Sequence, residues 1–272
     1  MNLLQRALIE KSGTDNGFEH TLSVDAGSIT LVSARHQTSA RVTFVGHDLS
    51  VFFISATPSL LPELGRGFPA ILQAGGEFTV NSEDALAALL RRAASLSSAL
   101  PSQAVMGYDK AIAETLSALP DDILGTEIER LVRQRVGQQK FREAMLQYWG
   151  GACAVTGVAL PAVLRASHAK PWAECASDAE RLDVFNGFLL NANLDALFDR
   201  FLISFDEKGR LLVSSRLLVA DLQRLGIYPG MSLRWVAAEH HVYLRYHRLI
   251  YNSCIEAEVK KLQQCAVDDY DW

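Results

Sequence analysis

The stretch that most constrains this chain lies between Leu164 and Arg200, where two short extended runs and a helical pattern follow one another with little slack. Residues 164–167 read as a short strand that delivers His168 to a turn fixed by Pro171. A second short strand, residues 185–190, follows the loop 174–183. From Ala192 to Arg200 the pattern is helical, with Leu194, Leu197 and Phe198 facing inward. Asp195 and Asp199 are then one turn apart, because side chains at i and i+4 share a helix face. Two carboxylates beside a histidine on an adjacent hairpin make a divalent-cation site, and oxygen donors suit Mg²⁺ or Mn²⁺ better than Zn²⁺.

The rest of the chain bounds the class. At 272 residues it is long enough for two modest domains or one large one. An apolar content of 49% supplies a real core, which argues against disorder. The formal net charge of −5 counts against a binder that holds nucleic acid by bulk charge, and much less against a nuclease with a local groove. Cys153, Cys175, Cys254 and Cys265 are scattered without a CxxC pair, so they read as reduced thiols of a cytoplasmic protein, with Cys153 a small buried residue. The amino-terminal segment lacks the apolar run of a signal peptide, and no stretch is apolar enough to span a membrane.

The fold class is read as α+β: an N-terminal α+β domain with an antiparallel sheet (1–100), then a helical connector and a C-terminal catalytic domain (101–272). A helix over 2–11 precedes alternating runs at 21–24, 28–33, 40–45 and 50–54, the pattern of an antiparallel meander. The Pro/Gly-rich residues 62–76 read as loop, and Ser82 opens a helix through Leu96. Residues 95–103 form the candidate hinge; helices follow over 108–119, from a capping-box pattern at Thr126, and over 138–148, with Gly137 as a break. Beyond Arg200, residues 201–205 and 210–214 spell a hairpin turned at Gly209. Residues 231–248 read as strand and turn, in which His240, His241 and His247 have no carboxylate or Cys partner at ligand spacing and are taken as structural.

Motifs then accumulate in a fixed order: Gln138-x-x-Phe141-Arg142; Cys153-Ala154-Val155-Thr156-Gly157; Ala166-Ser167-His168-Ala169-Lys170-Pro171-Trp172; Asn186-Gly187-Phe188-Leu189-Leu190; and Leu194-Asp195-Ala196-Leu197-Phe198-Asp199-Arg200. In order and spacing this series resembles the HNH (ββα-metal) endonucleases of restriction systems, with a motif core over 141–205. The resemblance implies that His168 takes a proton from the attacking water and that Asn186 orients the imidazole or its hairpin. It places Asp195 where such nucleases carry their last named ligand, usually His or Asn, and Asp199 where some members use a further metal-binding His. Many members have Asp, Glu or His directly before the catalytic His; this chain has Ser167, a poor ligand. Lys170, Arg165 and Arg200 flank the site as candidate phosphate contacts, whereas Arg130, Arg133, Arg135 and Arg142 read as solvated helix faces.

The expectation is therefore a cytoplasmic, Mg²⁺- or Mn²⁺-dependent DNA endonuclease acting in restriction, its N-terminal domain choosing the target. A homodimer would pair two single-strand cuts. A degenerate nuclease fold that binds DNA or a partner without cutting, and an RNA-cleaving toxin, stay open on the same residues.

Overall fold

The computed structural model describes residues 2–25, 27–119 and 125–268. These form two compact units, Met1–Val136 and Gly137–Trp272.

The first unit opens with helix α1 (Leu3–Asp15), whose end is closed by a capping box between Asn2 and Gln5. Strands β1 (His20–Val24), β2 (Ser28–Val32), β3 (Ser39–Val45) and β4 (Asp48–Ile54) form the expected meander. Their alternation puts Ile29, Leu31, Ala40, Val42, Leu49, Val51 and Phe53 on one buried face. Residues 62–76 are not all loop: helix α2 (Leu60–Gly67) turns Leu60 and Leu64 into the core before a fifth strand, β5 (Phe78–Val80), pairs with β4. Helix α3 (Glu83–Ala99) starts at the N-cap Ser82 and packs its Leu86, Leu89, Leu90, Ala93 and Leu96 stripe within this core, against α1 and α2.

The candidate hinge at 95–103 is a buried corner. Leu100 is fully buried, Pro101 supplies the first residue of helix α4 (Pro101–Ser117), and Ser97 Oγ donates to Thr38 Oγ1 at 2.7 Å. Nor does Gly137 break a helix, since α5 runs unbroken from Thr126 to Tyr148. The glycine is there for space: a Cβ would lie 2.3 Å from the Trp172 indole.

In the second unit the end of α5 buries Phe141, Ala144, Met145 and Tyr148. Arg142 is no solvated charge, because it donates to the carbonyls of Leu164 (2.7 Å) and Pro161 (3.2 Å) and so ties the helix to the next strand. Strand β6 (Leu164–His168) pairs antiparallel with β7 (Gly187–Asn191) in the register His168↔Gly187 through Leu164↔Asn191. The loop between them contains a short helix, α6 (Asp178–Leu182). Helix α7 (Ala192–Phe198) follows β7 without a linker, because the Asn191 side chain caps it by accepting from Leu194 N. The hairpin of β8 (Ile203–Phe205) and β9 (Leu211–Val213) turns at Gly209, φ 77°. After α8 (Val219–Arg224), the expected strand over 231–248 gives way to a long helix, α9 (His240–Asp268). Its buried residues His240, Leu244, His247 and Tyr251 recur at helical spacing, and His240 stacks on Phe188 with ring centroids 5.4 Å apart.

Gly187 faces His168 at the closest point of the hairpin, where a Cβ would stand 2.2 Å from the Ser167 carbonyl oxygen and 2.9 Å from Phe141 Cζ. Gly187→Ala is expected to destabilise the second unit by about 1–3 kcal/mol through overpacking. Trp149, Trp172 and Trp235 all belong to that unit and the first unit has no tryptophan, so indole fluorescence during urea unfolding reads it; an unchanged midpoint would contradict the close approach.

Candidate active site

A cleft of about 320 Å³ opens where the β6–β7 hairpin, α7 and α9 meet. Ala166, His168, Pro171, Trp172, Asp199, Phe201 and His247 line it. His168 is the last residue of β6, and two contacts hold its ring. Phe141 stacks on it with centroids 3.7 Å apart, and Trp172 meets it edge-on at 5.7 Å. Its Nε2 lies 2.8 Å from the carbonyl oxygen of Arg181, which can only accept, so Nε2 carries the hydrogen and Nδ1 keeps the lone pair. Burial lowers the pKa of the ring to about 4, against the opposing pull of the Arg181 carbonyl, and the imidazole is neutral at pH 7.

Asn186 makes no hydrogen bond to that ring. It is fully buried and clamps the chain on both sides of the site. Its Oδ1 accepts from Lys170 N at 2.8 Å, and its Nδ2 donates to Lys170 O, Glu180 O and Cys175 Sγ. The same residue's backbone carbonyl accepts from Ala169 N at 2.9 Å. Asn186 thus fixes the turn after His168 and, through Glu180, the helix that presents the Arg181 carbonyl.

Asp195 and Asp199 are joined by the helical bond from Asp199 N to Asp195 O, 2.9 Å, and stand one turn apart. Partial withdrawal from water, with the Asp195 charge second, raises Asp199 to a pKa of about 6. Ser167, read from the sequence only as a missing ligand, is 2% exposed and donates its hydroxyl to Asp195 Oδ1 at 2.6 Å. Among the described residues no group of three or more His, Cys, Asp or Glu could hold a metal ion unaided. The donors nevertheless fit a hard cation: two mutually repelling carboxylates, with solvent and a substrate phosphate completing the shell as Mg²⁺ commonly requires.

The flanking basic residues are partly engaged. Lys170 Nζ pairs with Glu180 Oε1 at 2.8 Å and lies over the Tyr246 ring; Arg165 donates back to the carbonyls of Ala162 and Leu164. Arg200, exposed at the end of α7, donates to Ala196 O. Sequence reasoning did not place Trp172, Phe201 or His247 in the cleft. His247 is held firmly: it stacks on Phe198 at 3.8 Å, lies 2.9 Å from Ser204 Oγ through Nδ1, and 3.1 Å from Phe198 O through Nε2.

Burial lowers the His247 pKa to about 4, which fixes a pH dependence. Above the unfolded value near ~6.5 the ring is neutral in both states and its stabilisation is fully present. As pH falls below that value the unfolded chain takes a proton that the folded chain refuses, and stability is lost progressively down to about pH 4. Burial raises Asp183 and Asp199, which act in the opposite sense, so the informative quantity is the difference from a variant. Between pH 7.5 and 5 the wild type should lose about 1–2 kcal/mol more stability than His247→Gln. Parallel urea-midpoint profiles would show that His247 is protonated in the fold.

No curated protein matches the chain. Residues 153–206, from the turn at Cys153 through β7 and α7 to the end of β8, match the family model described as HNH endonuclease, which places this stretch of the chain with the HNH nuclease family.

Proposed function

We propose that this protein is a metal-dependent endonuclease that hydrolyses DNA phosphodiester bonds, with His168 as general base. The observation that carries this reading is the cleft itself, in which a neutral imidazole of defined tautomer and the carboxylate of Asp199, the C-cap of α7, line one space within the segment matching the HNH family. His168 Nδ1 takes a proton from a water molecule as its oxygen attacks phosphorus, and the 3′ oxygen leaves with a proton from solvent. Phe141 and the Arg181 carbonyl hold the imidazole against rotation, and Asn186 keeps the surrounding turns from drifting. Asp195 and Asp199 would hold a Mg²⁺ or Mn²⁺ ion, which when bound supplies stabilisation of charge on the phosphate and the leaving oxygen. Arg200 is the most accessible candidate for a phosphate contact, while Lys170 and Arg165 would have to exchange their present partners.

The biological setting proposed is restriction of foreign DNA, with the meander-bearing first unit selecting the target and two copies cutting the two strands. No helix of the described residues is long and apolar enough to cross a membrane; the cytoplasmic setting is part of the proposal.

Plasmid cleavage titrated with Mg²⁺ and Mn²⁺ tests the reading. His168→Ala should lower the rate by about 10²–10⁴-fold with its melting transition retained, and chelation should abolish cleavage. Equal behaviour of wild type and variant across both metals would leave a module that holds DNA without cutting it. Cleavage of RNA in preference to DNA in the same assay would reassign the substrate.

A further inference from the structure

We infer that Ser167 is a positioning residue that presents the Asp195 carboxylate to a divalent cation. The inference rests on the nuclease reading above and deepens it. Ser167 sits on β6 directly before His168, and its hydroxyl crosses to α7 to meet Asp195 Oδ1 at 2.6 Å, the length of an O–H···O⁻ bond to a charged acceptor. A hydroxyl has one proton to give, and this one goes to the carboxylate although the serine is 2% exposed. Among the described residues no other donor reaches Asp195, and no Lys, Arg or His pairs with it. One oxygen is therefore fixed while Oδ2 stays open as a ligand.

The chemistry of the donor matters. A lysine or arginine at this position would orient the carboxylate but cancel its charge, and an acidic residue would repel it. A hydroxyl orients the carboxylate without placing an opposite charge beside it. The bond also links the strand that carries His168 to the helix that carries Asp195 and ends at Asp199, so the base and the ligands are set by one short contact. Hydrogen bonds of this kind, made to a ligand rather than to the metal, tune metal affinity.

Calorimetric titration of the full chain with Mn²⁺ alone, without nucleic acid, tests the inference apart from catalysis. Wild type should bind saturably, and Ser167→Ala should bind about tenfold more weakly with a cooperative melt retained. Ser167→Cys, close in volume and a poor donor, should weaken binding likewise and carries the test if the alanine variant fails to fold. In an Asp195→Asn background, which itself weakens binding, adding Ser167→Ala should change nothing further, because the serine acts only through that carboxylate. Binding by Ser167→Ala within twofold of wild type, or a Ser167 effect that persists without the Asp195 carboxylate, overturns the inference and leaves the nuclease reading standing. Wild type that takes up no Mn²⁺ overturns the inference, while the nuclease reading stands or falls on the plasmid assay, where a phosphate completes the shell.

Discussion

The second unit depends on the side-chain amide of Asn186. A fully buried amide in an apolar setting is costly unless its hydrogen-bonding capacity is met, and here it is met by Lys170 on one side and by Glu180 and Cys175 on the other. The clamp draws the two ends of the β6–β7 connection together. Arg181 is therefore held where its carbonyl can accept from His168 Nε2, and a single buried side chain sets the tautomer of a ring to which it makes no hydrogen bond. Replacing Asn186 by an apolar residue would leave the Lys170 backbone amide without its Oδ1 acceptor, a loss of about 1–3 kcal/mol for a buried polar group.

What was legible in the sequence was local. The two-residue alternation of residues 40–54 can be satisfied only by strands with one buried face, and the i, i+4 placement of Asp195 and Asp199 follows from helical geometry alone. The HNH motifs were legible because function demands particular residue types at fixed spacing, and the family match covers that same stretch. Illegible features depended on partners distant in sequence. His241-Val242-Tyr243-Leu244-Arg245-Tyr246 alternates like a strand, yet the core takes His240, Leu244, His247 and Tyr251 at steps of three or four, and the segment is a helix. Gly137 looked like a helix breaker because its reason for being small, the Trp172 ring, lies 35 positions later.

Ser167 illustrates the same limit at the site. Beside a histidine, a serine in an acidic residue's place reads as a lost ligand. Only once α7 is packed against β6 does its hydroxyl face Asp195, 28 residues on. The net charge of −5 was similarly indecisive, because the local arrangement of Arg142, Arg165 and Lys170 is set by backbone carbonyls and Glu180 rather than by the field of the whole chain.

The electrostatics of the cleft are unbalanced in a direction that suits a cation. Burial keeps His168 uncharged, so it does not offset the neighbouring carboxylates, and the Asp195 charge adds to partial burial in raising Asp199. A structure selected for stability alone would place a lysine or arginine among these groups. Arg200, directly after Asp199, only partly offsets its charge, and Lys170 is held by Glu180 and the Tyr246 ring. On the proposed reading, the carboxylate charge that remains at the end of α7 is what a divalent cation would meet. Uncompensated like charge of this kind, tolerated because the surrounding core is well packed, is what the proposed binding of a metal together with a phosphate would draw on.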